Sequence, residues 1–193
     1  MAEHKISIIM PTYHREHTIE STIETILAQT YHNWELIIVD NAGDAGYRFS
    51  DSRIQVFEDA RQIGACYARN QAIPRATGDL ICFFDDDDEM FPNYLQTFVE
   101  VFEANANVKM VRAGMILSNG NIDYSRGTPL VCLRREFATP TWIGDRYDAD
   151  QEYFRAIETD NRWTEMMGDI ILLKTIICRA NLNPRGGIRE GRY

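Results

Sequence analysis

The chain has 193 residues, enough for one domain with a full core. With 45% hydrophobic and 25% charged residues it reads as an ordinary globular chain, and no apolar run approaches the roughly 20 residues of a membrane span. A formal net charge of −9 argues against a nucleic-acid partner, so any phosphate the protein binds needs a local Arg, Lys or metal ion.

The four cysteines, Cys66, Cys82, Cys132 and Cys178, show neither a CxxC pair nor zinc-ligand spacing. Cys82 and Cys178 lie in apolar runs, so buried reduced thiols are expected. Met1 to Lys5 lacks a signal-peptide pattern, and no Asn-x-Ser/Thr sequon occurs. A cytoplasmic placement is expected, with peripheral docking at the inner face of the membrane compatible with it.

In chain order, Ile6–Met10 is β-branched and apolar and reads as a buried strand ended by Pro11. Ile19, Ile23, Ile26 and Leu27 recur at helical spacing, predicting a helix over 18–29. Residues 34–39 form a second predicted strand, stopped by Asp40-Asn41-Ala42-Gly43, and 54–57 a short third. A helix is predicted over 64–76 and a strand over 79–84. Pro92 suits the first turn of a further helix, whose apolar face is Tyr94, Leu95, Phe98, Val101 and Phe102. Strand and helix in alternation imply a parallel sheet with crossover helices, an α/β fold.

The second half changes character. Residues 110–117 and 129–133 read as strands, with a hairpin turn at Ser118-Asn119-Gly120-Asn121. A helix is predicted over 150–158, and 170–178 fits helix or strand equally. Residues 181–193 read as loop or disordered tail. The expected organisation is one domain, with a ligand-binding half to about residue 105 and a smaller mixed half over about 106–180.

The most informative stretch is Asp85-Asp86-Asp87-Asp88, directly after Leu80-Ile81-Cys82-Phe83-Phe84. Adjacent carboxylates repel, so a buried strand opening into four of them calls for a cation, and hard oxygens suit Mn2+ or Mg2+. Open α/β sheets bind ligands at the C-terminal ends of their strands. The first strand ends at Pro11-Thr12-Tyr13 and the second at Asp40, so parallel strands would bring these groups to one edge with the aspartates. There Asp40 can accept from a base imide, Tyr13 can flank the base, Asp85 can reach ribose or sugar, and Asp87 can hold a cation on a pyrophosphate. Taken singly, Thr12 and Asp40 serve equally well as turn formers and Tyr13 as a rim aromatic. Their convergence favours a nucleotide site.

Ile6 to Tyr13 resembles the opening of family 2 glycosyltransferases, which have the GT-A fold. Gln29-Thr30-Tyr31 with Glu35 to Asp40, then Gly64, Ala68-Arg69-Asn70 and Gly78-Asp79, resemble the signatures that follow. Phe84 to Asp88 with Pro92 and Leu95 resembles the family's D-x-D-D metal segment. The resemblance is dense over roughly residues 5–105. It implies a GT-A (Rossmann-like) mainly parallel sheet and transfer of a sugar from a nucleotide-sugar donor, with a UDP-sugar the first guess. The acceptor would be a glycan or a lipid-linked molecule. By motif, Pro11, Thr12, Tyr13 and Asp40 line the nucleoside pocket, Arg69 lies near base or phosphates, Asp85 and Asp87 form the D-x-D pair, and Asp87 is the metal ligand. Asp88 supports acceptor or metal. Asp86 takes the variable donor-side position, with its side chain expected in solvent. The chain departs from the pattern at Asn41-Ala42, where many relatives carry a second acid and then Ser, and at His14, where many carry Asn.

The segment Asp148 to Arg155 resembles the place where relatives carry the catalytic base, and Asp150 matches best, with Asp145, Asp148 and Glu152 as rivals. An N-cap is the structural alternative for Asp150. A phosphatase of the haloacid dehalogenase type is disfavoured because its D-x-D lies on the first strand. A nucleotidyltransferase is disfavoured by the lack of a Gly-rich loop after that strand. The competing class is a non-catalytic or truncated nucleotide-sugar-binding domain.

Overall fold

The computed structural model describes residues 3–43, 46–59, 64–124, 128–138, 153 and 170–179. Its centre is a parallel layer of β1 (Ile6–Thr12), β2 (Trp34–Asp40), β3 (Ile54–Glu58) and β4 (Leu80–Phe83), in the order β3-β2-β1-β4. Every residue of β1, β2 and β4 is buried, as near-continuous apolar strands in a doubly covered sheet should be. Beyond β4 the described strands turn mixed: β8 (Val131–Arg134) is antiparallel to β4, β6 (Met110–Ile116) antiparallel to β8, and β9 (Ile170–Arg179) parallel to β6. The short β5 (Glu89–Met90) pairs with β9, and β7 (Ile122–Asp123) forms a hairpin with β6. Gly120 has φ +82 in that turn, a conformation that suits glycine.

Among the described residues three α-helices, α1 to α3, cover the layer. α1 (Ile19–Leu27) buries Ile19, Thr22, Ile23 and Ile26 beside β5. α2 (Ala65–Ala72) packs on β1 and β2. α3 (Tyr94–Ala104) buries Tyr94, Leu95, Phe98, Val99 and Phe102. All four cysteines are buried free thiols, and Cys82 lies across the β4–β8 pair from Cys132. Among the described residues no helix is long and apolar enough to cross a membrane.

Most boundaries fall within one or two residues of the sequence reading, and three shifts occur at prolines. β1 runs through Pro11 to Thr12. Residue 9 faces β4, because Phe84 N–H donates to the Ile9 carbonyl, so residue 11 faces the same side. The β1–β4 register stops at Ile9–Phe83, and the donor that Pro11 lacks would have met no strand. The α-helix expected to reach 76 ends at Ala72 and continues as a 3-10 turn over Ile73–Arg75, around Pro74. Thr128–Leu130 is likewise a 3-10 turn, and β8 begins after it; the Pro129 carbonyl accepts from Tyr94 Oη at 2.9 Å. Residues 170–178, undecided by pattern, are strand. The helix expected over 150–158 and the tail 181–193 lie outside the described residues, except that Tyr153 is helical.

Candidate active site

β1, β2 and β4 run the same way, so their C-terminal ends share one edge. Thr12 is in register with Asp40, and β4 delivers the acidic run beside them. The convergence expected from sequence is present. Asp40 is fully buried and its Oδ1 accepts from Ala42 N–H at 3.0 Å, while its backbone carbonyl accepts from Asp59 N–H at 2.8 Å. It therefore shapes the turn after β2 at the place where it was expected to meet a ligand. Thr12 and Pro11 are buried, and Tyr13 is half-buried with its ring edge-on to His14 at 4.3 Å. His14 has φ +50, in the left-handed region where Asn and His are the commoner non-glycine residues. A His at this position therefore fits the backbone it adopts.

Arg69 is no surface arginine. It is 5% exposed, and its Nη2 donates to Asp85 Oδ1 at 2.8 Å and to Thr128 Oγ1 at 3.4 Å. α2 thus holds a guanidinium against the first carboxylate of the run. Asp86 corrects the sequence reading: expected in solvent, it is 6% exposed. Burial pushes its carboxyl up to about 7, with Asp87 and Asp85 adding to the rise and Thr12 and Arg15 opposing it. Burial also raises Asp87, against the pull of Arg15. Asp88 is buried, and its backbone carbonyl accepts from Thr22 Oγ1 at 3.0 Å, tying the run to α1.

Two supporting residues were not legible as such. Arg15, in the loop after β1, places Nε 3.7 Å from Asp86 Oδ1 and Nη2 3.8 Å from Asp87 Oδ2. Gln29, buried at the end of α1, donates through Nε2 to the Phe91 carbonyl at 2.8 Å and accepts from Leu95 N–H through Oε1 at 3.1 Å. Thr30 N–H adds a bond to the Pro92 carbonyl at 2.9 Å. The Gln-Thr signature therefore clamps the segment that follows the acidic run. Asp150 lies outside the described residues. Tyr153, three positions later, is buried with its ring edge-on to Phe83 at 5.7 Å, beside the strand that carries the run.

Among the described residues no three His, Cys, Asp or Glu side chains converge to hold a metal ion by themselves. The described residues therefore do not build an all-protein cage. The donor set is hard carboxylate oxygen that burial leaves short of positive charge, which fits Mn2+ or Mg2+ bound through one or two carboxylates and completed by phosphate oxygens and water. A separate cleft of about 480 Å³ opens at the outer edge of β3 between Tyr47, Phe49, Val56, Phe57, Glu58 and Arg75. Among the described residues it adjoins this site through Tyr47, whose hydroxyl lies beside Thr12, and through Glu58, the register partner of Asp40.

A parallel layer that opens into buried aspartates at its C-terminal edge, followed by a mixed sheet, is the architecture of the GT-A glycosyltransferases. A mannosyltransferase from Pyrobaculum calidifontis, solved with GDP-Man and Mn2+, superposes with a TM-score of 0.71 at 20% identity, covering 96% of this chain and 59% of that one. Staphylococcus aureus TarS 1-349 with UDP-GlcNAc gives 0.70 at 16% identity, covering 91% and 58%. The chain belongs to glycosyl transferase family 2, whose sequence profile matches residues 7–158. It is 37% identical over 126 residues to the Escherichia coli UDP-Glc:alpha-D-GlcNAc-diphosphoundecaprenol beta-1,3-glucosyltransferase WfgD, covering 63% of this chain and 49% of that relative. The chain spans about half the length of the curated relative it matches there.

Proposed function

We propose that the protein is a metal-dependent, inverting glycosyltransferase that moves a sugar from a nucleotide-diphosphate sugar to a glycan or lipid-linked acceptor in surface polysaccharide or glycolipid synthesis. The observation that carries this reading is the shared edge where Thr12, Asp40, Arg69 and the aspartates of residues 85–87 meet. A UDP-sugar is the first donor to try, since WfgD is named for UDP-Glc and TarS was solved with UDP-GlcNAc. Work on a lipid-linked acceptor would take place at the inner face of the membrane.

Pro11, Thr12, Tyr13 and Asp40 would hold the nucleoside. Asp85, fixed by Arg69, would orient ribose or sugar, with the buried Asp86 beside Thr12 on the donor side. Asp87 would be the protein ligand of Mn2+ or Mg2+, which when bound offsets charge on the leaving diphosphate. Arg69 lies close enough to the same region to add to that offset. Asp150 would take the proton of the acceptor hydroxyl as its oxygen bonds to the anomeric carbon. The bond from that carbon to the diphosphate breaks in the same displacement, and its electron pair leaves on the phosphate oxygen. The burial of Tyr153 against Phe83 supports this placement of the base.

The test is turnover of a nucleotide-sugar panel over several acceptors, with wild type and Asp150→Asn side by side. Wild type is expected to transfer, and the variant to bind UDP normally while losing about 10²–10⁴-fold in rate. Donor binding without turnover on any acceptor would favour the non-catalytic donor-binding domain instead. Lost UDP binding in a folded Asp150→Asn would remove the base assignment.

A further inference from the structure

The two arginines at the acidic edge are held differently. Arg69 is 5% exposed and makes a 2.8 Å hydrogen bond to Asp85, which is a fixed strut. Arg15 sits on a loop that turns through the left-handed His14. Its side chain is 14% exposed, and it faces Asp86 and Asp87 at 3.7 and 3.8 Å. Those separations exceed the 2.7–2.9 Å of a charge-assisted hydrogen bond, so it supplies charge without a directional bond at either carboxylate.

We propose that Arg15 is an exchangeable counter-cation. Before the donor binds, it stands in for a divalent ion beside Asp86 and Asp87. When an ion arrives at Asp87, the guanidinium moves to the donor's diphosphate. This inference rests on the donor reading above. Two cations cannot share one face of Asp87, because like charges about 4 Å apart repel by roughly 4 kcal/mol in a partly screened site. The planar fork of a displaced guanidinium matches two phosphate oxygens, so its new partner is chemically at hand. The loose geometry is what an exchange requires; a bidentate pair would have to be broken first. Arg15 would be a positioning residue for the ion and a binding residue for the diphosphate.

The exchange predicts opposite changes in two affinities. In the full chain, Mn2+ alone would be titrated by calorimetry and electron paramagnetic resonance, and UDP would be titrated separately in chelator-treated buffer. Arg15→Gln is expected to bind Mn2+ about tenfold more tightly and metal-free UDP about tenfold more weakly than wild type, each a change of about 1.4 kcal/mol. Arg15→Lys keeps the charge and is expected to restore Mn2+ affinity to the wild-type value while recovering only part of the UDP affinity, since the fork is lost. Both affinities falling together in Arg15→Gln, with a lower melting temperature, would make Arg15 a structural strut and overturn the proposal. So would unchanged affinities in a variant whose wild type binds both ligands. If wild type bound neither Mn2+ nor UDP, singly or together, the donor reading itself would fall, and this inference with it.

Discussion

The two ends of the same parallel layer treat buried carboxylates in opposite ways. At the N-terminal end Glu35, on β2, is 3% exposed and fully partnered: Ser7 Oγ donates at 2.6 Å, Thr77 N–H at 2.7 Å and Lys5 Nζ at 2.8 Å. Burial alone would raise its carboxyl, but these bonds outweigh it and hold the group at about 2. Ser7 passes the network on by accepting from Gly78 N–H at 2.9 Å. Gly78 approaches so closely that a Cβ there would sit 2.5 Å from the Lys5 carbonyl oxygen. At the C-terminal end Asp86, equally buried, is pushed up to about 7, and the nearest Arg15 nitrogen lies 3.7 Å away. A carboxylate whose charge is matched inside the fold serves the fold. One met only by a loosely held charge at a ligand-binding edge is arranged for something that arrives.

That contrast predicts where function and stability separate. The largest effect should follow Asp87→Ala, which is expected to lower transfer by about 10²–10³-fold, roughly 3–4 kcal/mol, without lowering the urea midpoint. Equal loss of stability and activity would place Asp87 with Glu35 as a structural acid. Next comes Glu35→Gln, expected to cost about 3 kcal/mol in urea unfolding at pH 7 while leaving UDP affinity unchanged. The sign with pH follows from the depressed value. The stability that Glu35 contributes is complete above its usual 4.5 and is lost as pH falls toward about 2, so the gap between wild type and variant should close in acid.

The smallest effect has the opposite sign. Asp86 binds its proton more tightly in the folded chain than in the unfolded one, so the native state loses stability as pH rises from the ordinary 3.8 to about 7. Asp86→Asn in metal-free protein should therefore gain about 1–3 kcal/mol at pH 8 and almost nothing at pH 4, read by thermal melts. A loss at pH 8 would mean that the Asp86 carboxylate is satisfied by partners inside the fold, and the comparison between the two ends would fail.

Much of this was legible in the residues. Apolar runs rich in β-branched residues, such as 6–10 and 34–39, read as buried strands, and their alternation with helices makes them parallel, which puts Thr12, Asp40 and Asp85 on one edge. The order of β8, β6, β9 and β5 was not legible, because it depends on long-range pairing that no local pattern encodes. Asp86 looked solvated because four identical side chains hide which of them point inward. Arg15, a loop arginine, carries no periodicity, and only its nearness in sequence to Tyr13 hints at its place. Glu35 and Gln29 were seen only as parts of a signature, and contacts were needed to show that both brace the scaffold.

The central claim is that the acidic edge takes a divalent ion together with a diphosphate. Calorimetric titration of UDP into wild type, with Mn2+ and again with chelator, tests it most directly. The account predicts binding at least about tenfold tighter with Mn2+, a difference that Asp87→Ala abolishes. Equal affinity in both buffers would contradict it.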